Sequence, residues 1–203
     1  MQNTEDTGGM TGLLISPKQR LLDLFVTTGS FHVSATPEYP LASGILSPYY
    51  IDCKRALSYP ETRRLVGDLI FTHLQTCQAD AVGGLVLGAI PVAIAVSDAA
   101  DRQSTLLKVF AVRKEAKRHG LRKYIEGDVR TGERVIIVDD VITSGASTID
   151  AIRRSREEGL QVVKAVAIID REEANGRQAI EQLGVPFASV LTLKELIART
   201  DAP

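Results

Sequence analysis

The chain has 203 residues, 44% apolar and 24% charged, an ordinary globular balance in a length that can bury its own core. Its 24 basic and 25 acidic residues leave a formal net charge of -1, which excludes a wholly basic nucleic-acid-binding face but not a local basic patch. Cys53 and Cys77 are spaced neither as a metal knuckle nor as a redox pair, so they read as thiols of a reduced cytosolic protein.

The opening MQNTEDTGGMTG has no basic stretch followed by an apolar run and does not read as a signal peptide. Residues 1–15 are expected to form a flexible tail and 16–203 one domain. Ser16 and Pro17 start a helix whose apolar face holds Leu21, Leu22, Leu24, Phe25 and Val26, and Gly29 ends it. Residues 30–57 read as short extended pieces broken by Pro37, Pro40, Gly44 and Pro48. Ser58 and Glu61 suggest a capping box around Pro60, opening a helix to about Gln75 with Leu65, Leu69, Ile70 and Leu74 inward.

Asp80 to Leu87 reads as a buried strand and Gly88 to Ala99 as a helix of small residues. The glycines, Pro91 and Ser97 between 81 and 98 argue against a membrane span. Leu106 to Val112 is a strand. Residues 113–123 lack apolar periodicity and form a loop. Glu133 to Val138 is a strand, and Ser147 to Glu158 a helix stopped by Gly159. The cluster Arg153, Arg154 and Arg156 on that helix reads as a solvated face. Val162 to Ile169 is a strand, a helix spans about 173–183, and Val185 to Leu191 is a further strand. Thr192 and Glu195 cap the last helix. Alternating helices and continuously apolar strands imply an α/β fold with a mostly parallel sheet covered on both faces. Ligands of such sheets sit beyond the carboxyl ends of the strands, here near 83–88, Val112, Asp139 and Ile169.

The segment VIIVDDVITSGAST, residues 135–148, carries the sharpest chemistry. A buried strand leads into a turn with free backbone N–H groups, and a helix N-terminus follows at once. Thr143, Ser144 and Ser147 add hydroxyls and Gly145 permits close backbone approach, so the turn suits a phosphate monoester. Asp139 and Asp140 repel phosphate and instead suit ribose hydroxyls or Mg²⁺ held by a diphosphate; the plainer alternative is that they cap the turn. The segment is neither a Walker A loop nor a dinucleotide fingerprint.

Residues 113–123 hold Arg113, Lys114, Lys117, Arg118, Arg122, Lys123 and His119 against Glu115 alone. This is either a solvated surface run or a loop that neutralises a diphosphate and excludes water. Gly83, Gly84 and Gly88 offer either backbone contacts to a ligand or tight helix–sheet packing. Tyr49 and Tyr50 are either core aromatics or part of a base pocket. Arg171, at the end of an apolar strand, is either a surface ion-pair partner or a planar clamp for a carboxylate.

Residues 135–148 resemble the 5-phosphoribosyl 1-diphosphate (PRPP) motif of type I phosphoribosyltransferases, and VRKEAKRHG resembles the signature loop of the orotate phosphoribosyltransferases. The resemblance spans residues 20–195. It implies the type I phosphoribosyltransferase fold, with residues 30–57 contributing a small hood for the base. PRPP would contact Arg113, Lys114, Lys117, His119, Asp139, Asp140, Val141, Ile142, Thr143, Ser144, Gly145, Ala146 and Ser147, with the glycine segment at 83–88 against its diphosphate. Lys117, His119, Asp139 and Asp140 would be catalytic, with His119 a candidate proton donor. Thr143 and Arg171 would contact orotate. Mg²⁺ would be held through PRPP with no direct protein ligands. The family forms homodimers in which Lys114, Lys117 and His119 serve the neighbouring subunit's site. SGILSPYYIDC resembles the family's orotate-side motif, but Ala42 stands where many members have lysine. The expected reaction joins PRPP and orotate in the cytoplasm to give orotidine 5'-monophosphate, with no nucleic-acid or membrane partner. Alternatives are transfer to another nucleobase, a non-catalytic nucleotide- or RNA-binding regulator on the same fold, and a ligase making PRPP, for which no ATP-binding feature exists.

Overall fold

A computed structural model of the chain describes residues 15–41, 44–115 and 124–200. All of the expected tail except Ile15 lies outside these, as do Ala42, Lys117 and His119.

Helix α1 (Pro17–Thr27) begins at a reciprocal capping box between Ser16 and Gln19. Four short strands follow: β1 (Phe31–Val33), β2 (Tyr39–Pro40), β3 (Leu46–Ser47) and β4 (Tyr49–Ile51). They pair antiparallel as β1 with β4 and β2 with β3. Helix α2 (Cys53–Ser58) was expected to be extended; Asp52 starts it by accepting from the Arg55 N–H at 2.9 Å. Helix α3 (Pro60–Thr72) does not have the expected Ser58–Glu61 box. Its N-cap is Tyr59 with no side-chain cap bond, Ser58 Oγ donates to Arg55 O, and Glu61 pairs with Arg20 at 2.8 Å. It also stops at Thr72, short of Gln75.

The remaining elements alternate strand and helix apart from the consecutive strands β6, β7 and β8: β5 (Ala81–Leu85), α4 (Ala89–Asp101), β6 (Lys108–Val112), β7 (Ile125–Glu126), β8 (Arg134–Ile142), α5 (Ala146–Glu157), β9 (Gln161–Asp170), α6 (Gly176–Glu181), β10 (Phe187–Thr192) and α7 (Leu193–Thr200). The main sheet has the order β10-β9-β8-β5-β6-β7, parallel throughout except for β7, an edge strand the sequence did not announce. Along β8 the side chains split by period two. Ile136 and Val138 enter the core shared with α1, α3, α4 and α7, whereas Val135 and Ile137 enter the core shared with α5 and α6. Both faces are therefore covered, which is why the parallel strands are apolar without interruption. Among the described residues no helix is long and apolar enough to cross a membrane.

Candidate active site

Strand β8 runs further than its apolar stretch suggests. Its pairing with β9 continues through Asp139↔Ala167 to Ile142↔Asp170, so both carboxylates sit on the strand itself, before the turn. Asp139 points inward and is buried. Its Oδ2 accepts from Thr148 Oγ1 at 2.8 Å and its Oδ1 from the Asp140 N–H at 3.0 Å. Burial, and secondly the charge of Asp140, push the Asp139 carboxyl up to about 7, against the pull of those hydrogen bonds. Asp140 is half-buried and faces the other way, with Lys54 Nζ 3.9 Å from its Oδ2. The Cys53 thiol lies 4.0 Å from Asp140 O; burial, then the Asp140 charge, push its pKa well above the ordinary value.

The turn after β8 closes on Gly145, whose φ of 73° is left-handed and starts α5 with no side chain capping it. The first N–H groups of α5 lack intrahelical acceptors and carry the positive end of the helix dipole. Asp139, Val141, Ile142, Thr143, Ser144, Gly145, Ala146 and Ser147 line one cavity of about 100 Å³. The Ile142 side chain itself belongs to the core. A larger cleft of about 630 Å³ adjoins, bounded by Ser144, Ala146, Ser147, Lys114, Leu85 and Arg153, among others. The geometry suits an anion at the turn, with buried Asp139 lining the same cavity and Asp140 facing the other way.

Of the two readings of the glycine segment, Gly83 and Gly84 show the packing one. Gly83 and Gly84 lie inside β5, paired with β6 across Gly83↔Phe110 and Gly84↔Ala111. A Cβ at Gly83 would sit 2.2 Å from Phe110 O, and one at Gly84 2.2 Å from Val138 O, so packing requires these two glycines. Gly88 is nearer the chemistry: a Cβ there would stand 2.8 Å from Asp140 Oδ1, so its absence leaves Asp140 room.

The basic segment enters the site from β6. Arg113 donates to Glu126 at 3.0 Å, and its backbone N–H bonds Tyr124 O at 2.8 Å. Arg154 was read as part of a solvated face, but its side chain is only 17% exposed and works across the segment's two ends. It donates to the carbonyls of Arg113 and Lys114, lies 4.4 Å from the Tyr124 ring centroid, and pairs with Asp150 at 2.9 Å.

Arg171 ends β9 with its guanidinium buried. Its guanidinium fork is met by internal partners: Glu173, Ser47 and Tyr49. Ser47 and Tyr49 come from β3 and β4, so the small antiparallel pairs reach the carboxyl ends of the main sheet. Glu173, Thr148 and Lys54 were missed in the sequence. Only Ser47 had a signal, its place in the SPYY run. Among the described residues no group of three or more His, Cys, Asp or Glu could hold a metal ion. The hard oxygens of Asp140, open on one side, fit a Mg²⁺ that arrives with a diphosphate.

Comparison with known proteins agrees with this arrangement. The family model for the phosphoribosyl transferase domain matches residues 57–186. The orotate phosphoribosyltransferase of Aquifex aeolicus is 40% identical over 185 residues, covering 91% of this chain and 100% of that protein. Among solved structures, the Mycobacterium tuberculosis orotate phosphoribosyltransferase in complex with PRPP has a TM-score of 0.72 at 32% identity, covering 89% of this chain and 99% of that one. The orotate phosphoribosyltransferase of Aeropyrum pernix has a TM-score of 0.73 at 31% identity, covering 89% and 97% respectively. The phosphate turn, the paired carboxylates on β8 and this whole-chain likeness place the chain in the phosphoribosyltransferase domain family, among the orotate phosphoribosyltransferases.

Proposed function

We propose that the chain transfers the phosphoribosyl group of PRPP to a ring nitrogen of orotate, giving orotidine 5'-monophosphate and diphosphate in de novo pyrimidine (UMP) biosynthesis. The observation that carries this reading is the Thr143–Ser147 turn at the head of α5, set directly beyond Asp139 and Asp140. The PRPP complex of the Mycobacterium relative supports the donor, and the names of the relatives support the acceptor.

The turn binds the 5'-phosphate through backbone N–H groups, the helix dipole and the hydroxyls of Thr143, Ser144 and Ser147. Asp139 and Asp140 accept from the ribose hydroxyls and fix the sugar. The bond from the anomeric carbon to diphosphate breaks with its electron pair leaving on the diphosphate. Departure of the diphosphate gives the sugar oxocarbenium-like character, and the orotate nitrogen bonds the same carbon while releasing its proton to water. Catalysis is positioning and charge stabilisation, without a covalent nucleophile. Mg²⁺, bound through PRPP, would neutralise charge on the leaving diphosphate. By the family resemblance Arg113, Lys114, Lys117 and His119 bind that diphosphate, with Lys117 to steady its charge and His119 to protonate it. Lys114, Lys117 and His119 serve the partner subunit's site of a homodimer. Arg171 holds the orotate carboxylate, and Thr143 assists at the base. The enzyme acts in the cytoplasm.

Incubation with PRPP, Mg²⁺ and a panel of bases, reading diphosphate release, tests the assignment. Orotate is expected to react and adenine, hypoxanthine and uracil to remain inert. Turnover of adenine or uracil without orotate would overturn it.

A further inference from the structure

Arg171 has no nitrogen left over. Its Nε donates to Glu173 Oε2 at 2.8 Å, its Nη2 to Ser47 Oγ at 3.0 Å and to Glu173 Oε1 at 3.4 Å, and its Nη1 to Tyr49 O at 3.4 Å. The two Glu173 contacts meet the guanidinium fork against fork, the way a ligand carboxylate meets it. The partners are unequal. The Arg171 side chain is 5% exposed, whereas that of Glu173 is 34% exposed. A buried cation is therefore neutralised by a carboxylate standing on its solvent side.

The backbone around Glu173 is also unusual. Glu172, Ala174 and Asn175 have φ of 55°, 51° and 56°, in the left-handed region that non-glycine residues enter only under constraint. Glu172 is held there by its N–H to Asp170 Oδ1 at 2.9 Å. The ion pair thus closes over one left-handed residue and is followed by two more. Left-handed backbone at non-glycine residues is strained, and it brackets residue 173 on both sides.

We propose that Glu173 is an internal stand-in for the carboxylate of the acceptor base: it fills the Arg171 fork in the free protein and is exchanged for the base's carboxylate on binding. This rests on the assignment of Arg171 to orotate. The exchange leaves the buried guanidinium paired before and after, because one carboxylate replaces another while Ser47 Oγ and Tyr49 O keep the N–H groups they hold. The displaced Glu173 moves into water, where its charge is hydrated. A ring without a carboxylate offers no replacement, so its binding cannot release Glu173. Glu173 therefore favours carboxylated bases and at the same time weakens their apparent affinity by competing for the same fork.

The test is steady-state kinetics of the full chain carrying Glu173→Gln, Glu173→Ala or Arg171→Lys. Both Glu173 variants are expected to lower the KM for orotate by roughly threefold to tenfold, the value of removing one partly exposed competitor ion pair. The KM for PRPP should not change. A Glu173 that merely orients Arg171 gives the opposite sign, a raised KM for orotate. Arg171→Lys separates the two ideas, since it should raise the orotate KM strongly. If it does so while the Glu173 variants leave that KM unchanged or raised, the exchange is wrong and the base assignment stands. If Arg171→Lys leaves the orotate KM unaltered, both fall together.

Discussion

Asp139 shows how a functional residue is held against its own preference. Burial pushes its carboxyl up to about 7, and the neighbouring Asp140 charge adds to the shift. An aspartate in the unfolded chain titrates near about 4, so the folded chain binds the extra proton between about pH 4 and pH 7. The stability linked to that proton is fully present below about pH 4 and is lost as pH rises through about 7. Asp139→Asn, uncharged throughout, is expected to melt higher than the parent at pH 8, by an amount on the order of a few kcal/mol, and to lose that advantage towards pH 5. The same variant should lose turnover, because an amide has one acceptor oxygen where the carboxylate has two, and that oxygen cannot serve Thr148, the Asp140 N–H and a ribose hydroxyl together. Melts at the two pH values check the sign; a parent more stable than Asp139→Asn at pH 8 would show that the buried charge is better compensated than burial implies. Arg171 teaches the complementary lesson. Its position at a strand end on the ligand-binding edge was legible from the sequence, but its partners were not. Nothing in REEANG says which acid turns back, since that depends on left-handed backbone at Glu172 that no local rule announces.

At the scale of elements, legibility followed length and burial. Strands β5, β6, β8 and β9 were readable because parallel strands covered on both faces must be apolar throughout. The end of β8 was not, because Asp139 and Asp140 look like turn residues although the ladder with β9 carries on past them. Strands of two or three residues such as β2, β3 and β7 are too short to show a period. Helix α6 begins at Gly176, not near 173, because Ala174 and Asn175 are left-handed and Gly176 packs under the phosphate turn, where a Cβ would meet Thr143 O at 2.3 Å. Helix α5 was legible as a helix and misread as a surface. Its Arg154 joins the phosphate turn's own helix to both described ends of the basic segment, through the carbonyls of Arg113 and Lys114 and the face of Tyr124. Arg154→Ala removes two charged-donor hydrogen bonds and the ring contact. It is expected to lower kcat about tenfold or more while the main sheet still folds, the size expected for one or two such bonds lost from a positioning group. Arg154→Lys should recover kcat only in part: an ammonium can keep the two carbonyl bonds, which Arg154 makes through Nη1 alone, but not the flat contact with Tyr124 together with the Asp150 pair made through Nη2. Unchanged kcat in a folded Arg154→Ala protein would return Arg154 to the role of a surface charge.

For the whole molecule, the sheet order explains why residues so far apart in sequence meet. Strands β8 and β5 are adjacent and parallel at the centre, so the phosphate turn after β8 and the Leu85–Gly88 turn after β5 open on the same edge. β9 brings Arg171 to that edge from one side and β6 brings Arg113 and Lys114 from the other. On the proposed function, one protomer would supply the turn, the paired carboxylates and Arg171, and the basic segment would complete the site of a second protomer. That division predicts complementation. In a mixture of Lys117→Ala and Asp140→Ala chains, each parent homodimer lacks an essential group at both sites. A mixed dimer that shares residues in trans pairs the intact Asp140 of the first chain with the intact Lys117 of the second, restoring one of its two sites. With random reassembly half of the dimers are mixed, so about a quarter of the wild-type activity should return. If the segment acts on its own subunit, no site in the mixed dimer is whole and the mixture stays as inactive as its parents. Assay of purified mixed dimers, separated by a tag on one chain, decides between the two arrangements, and inactive mixed dimers would assign Lys117 to its own chain's site.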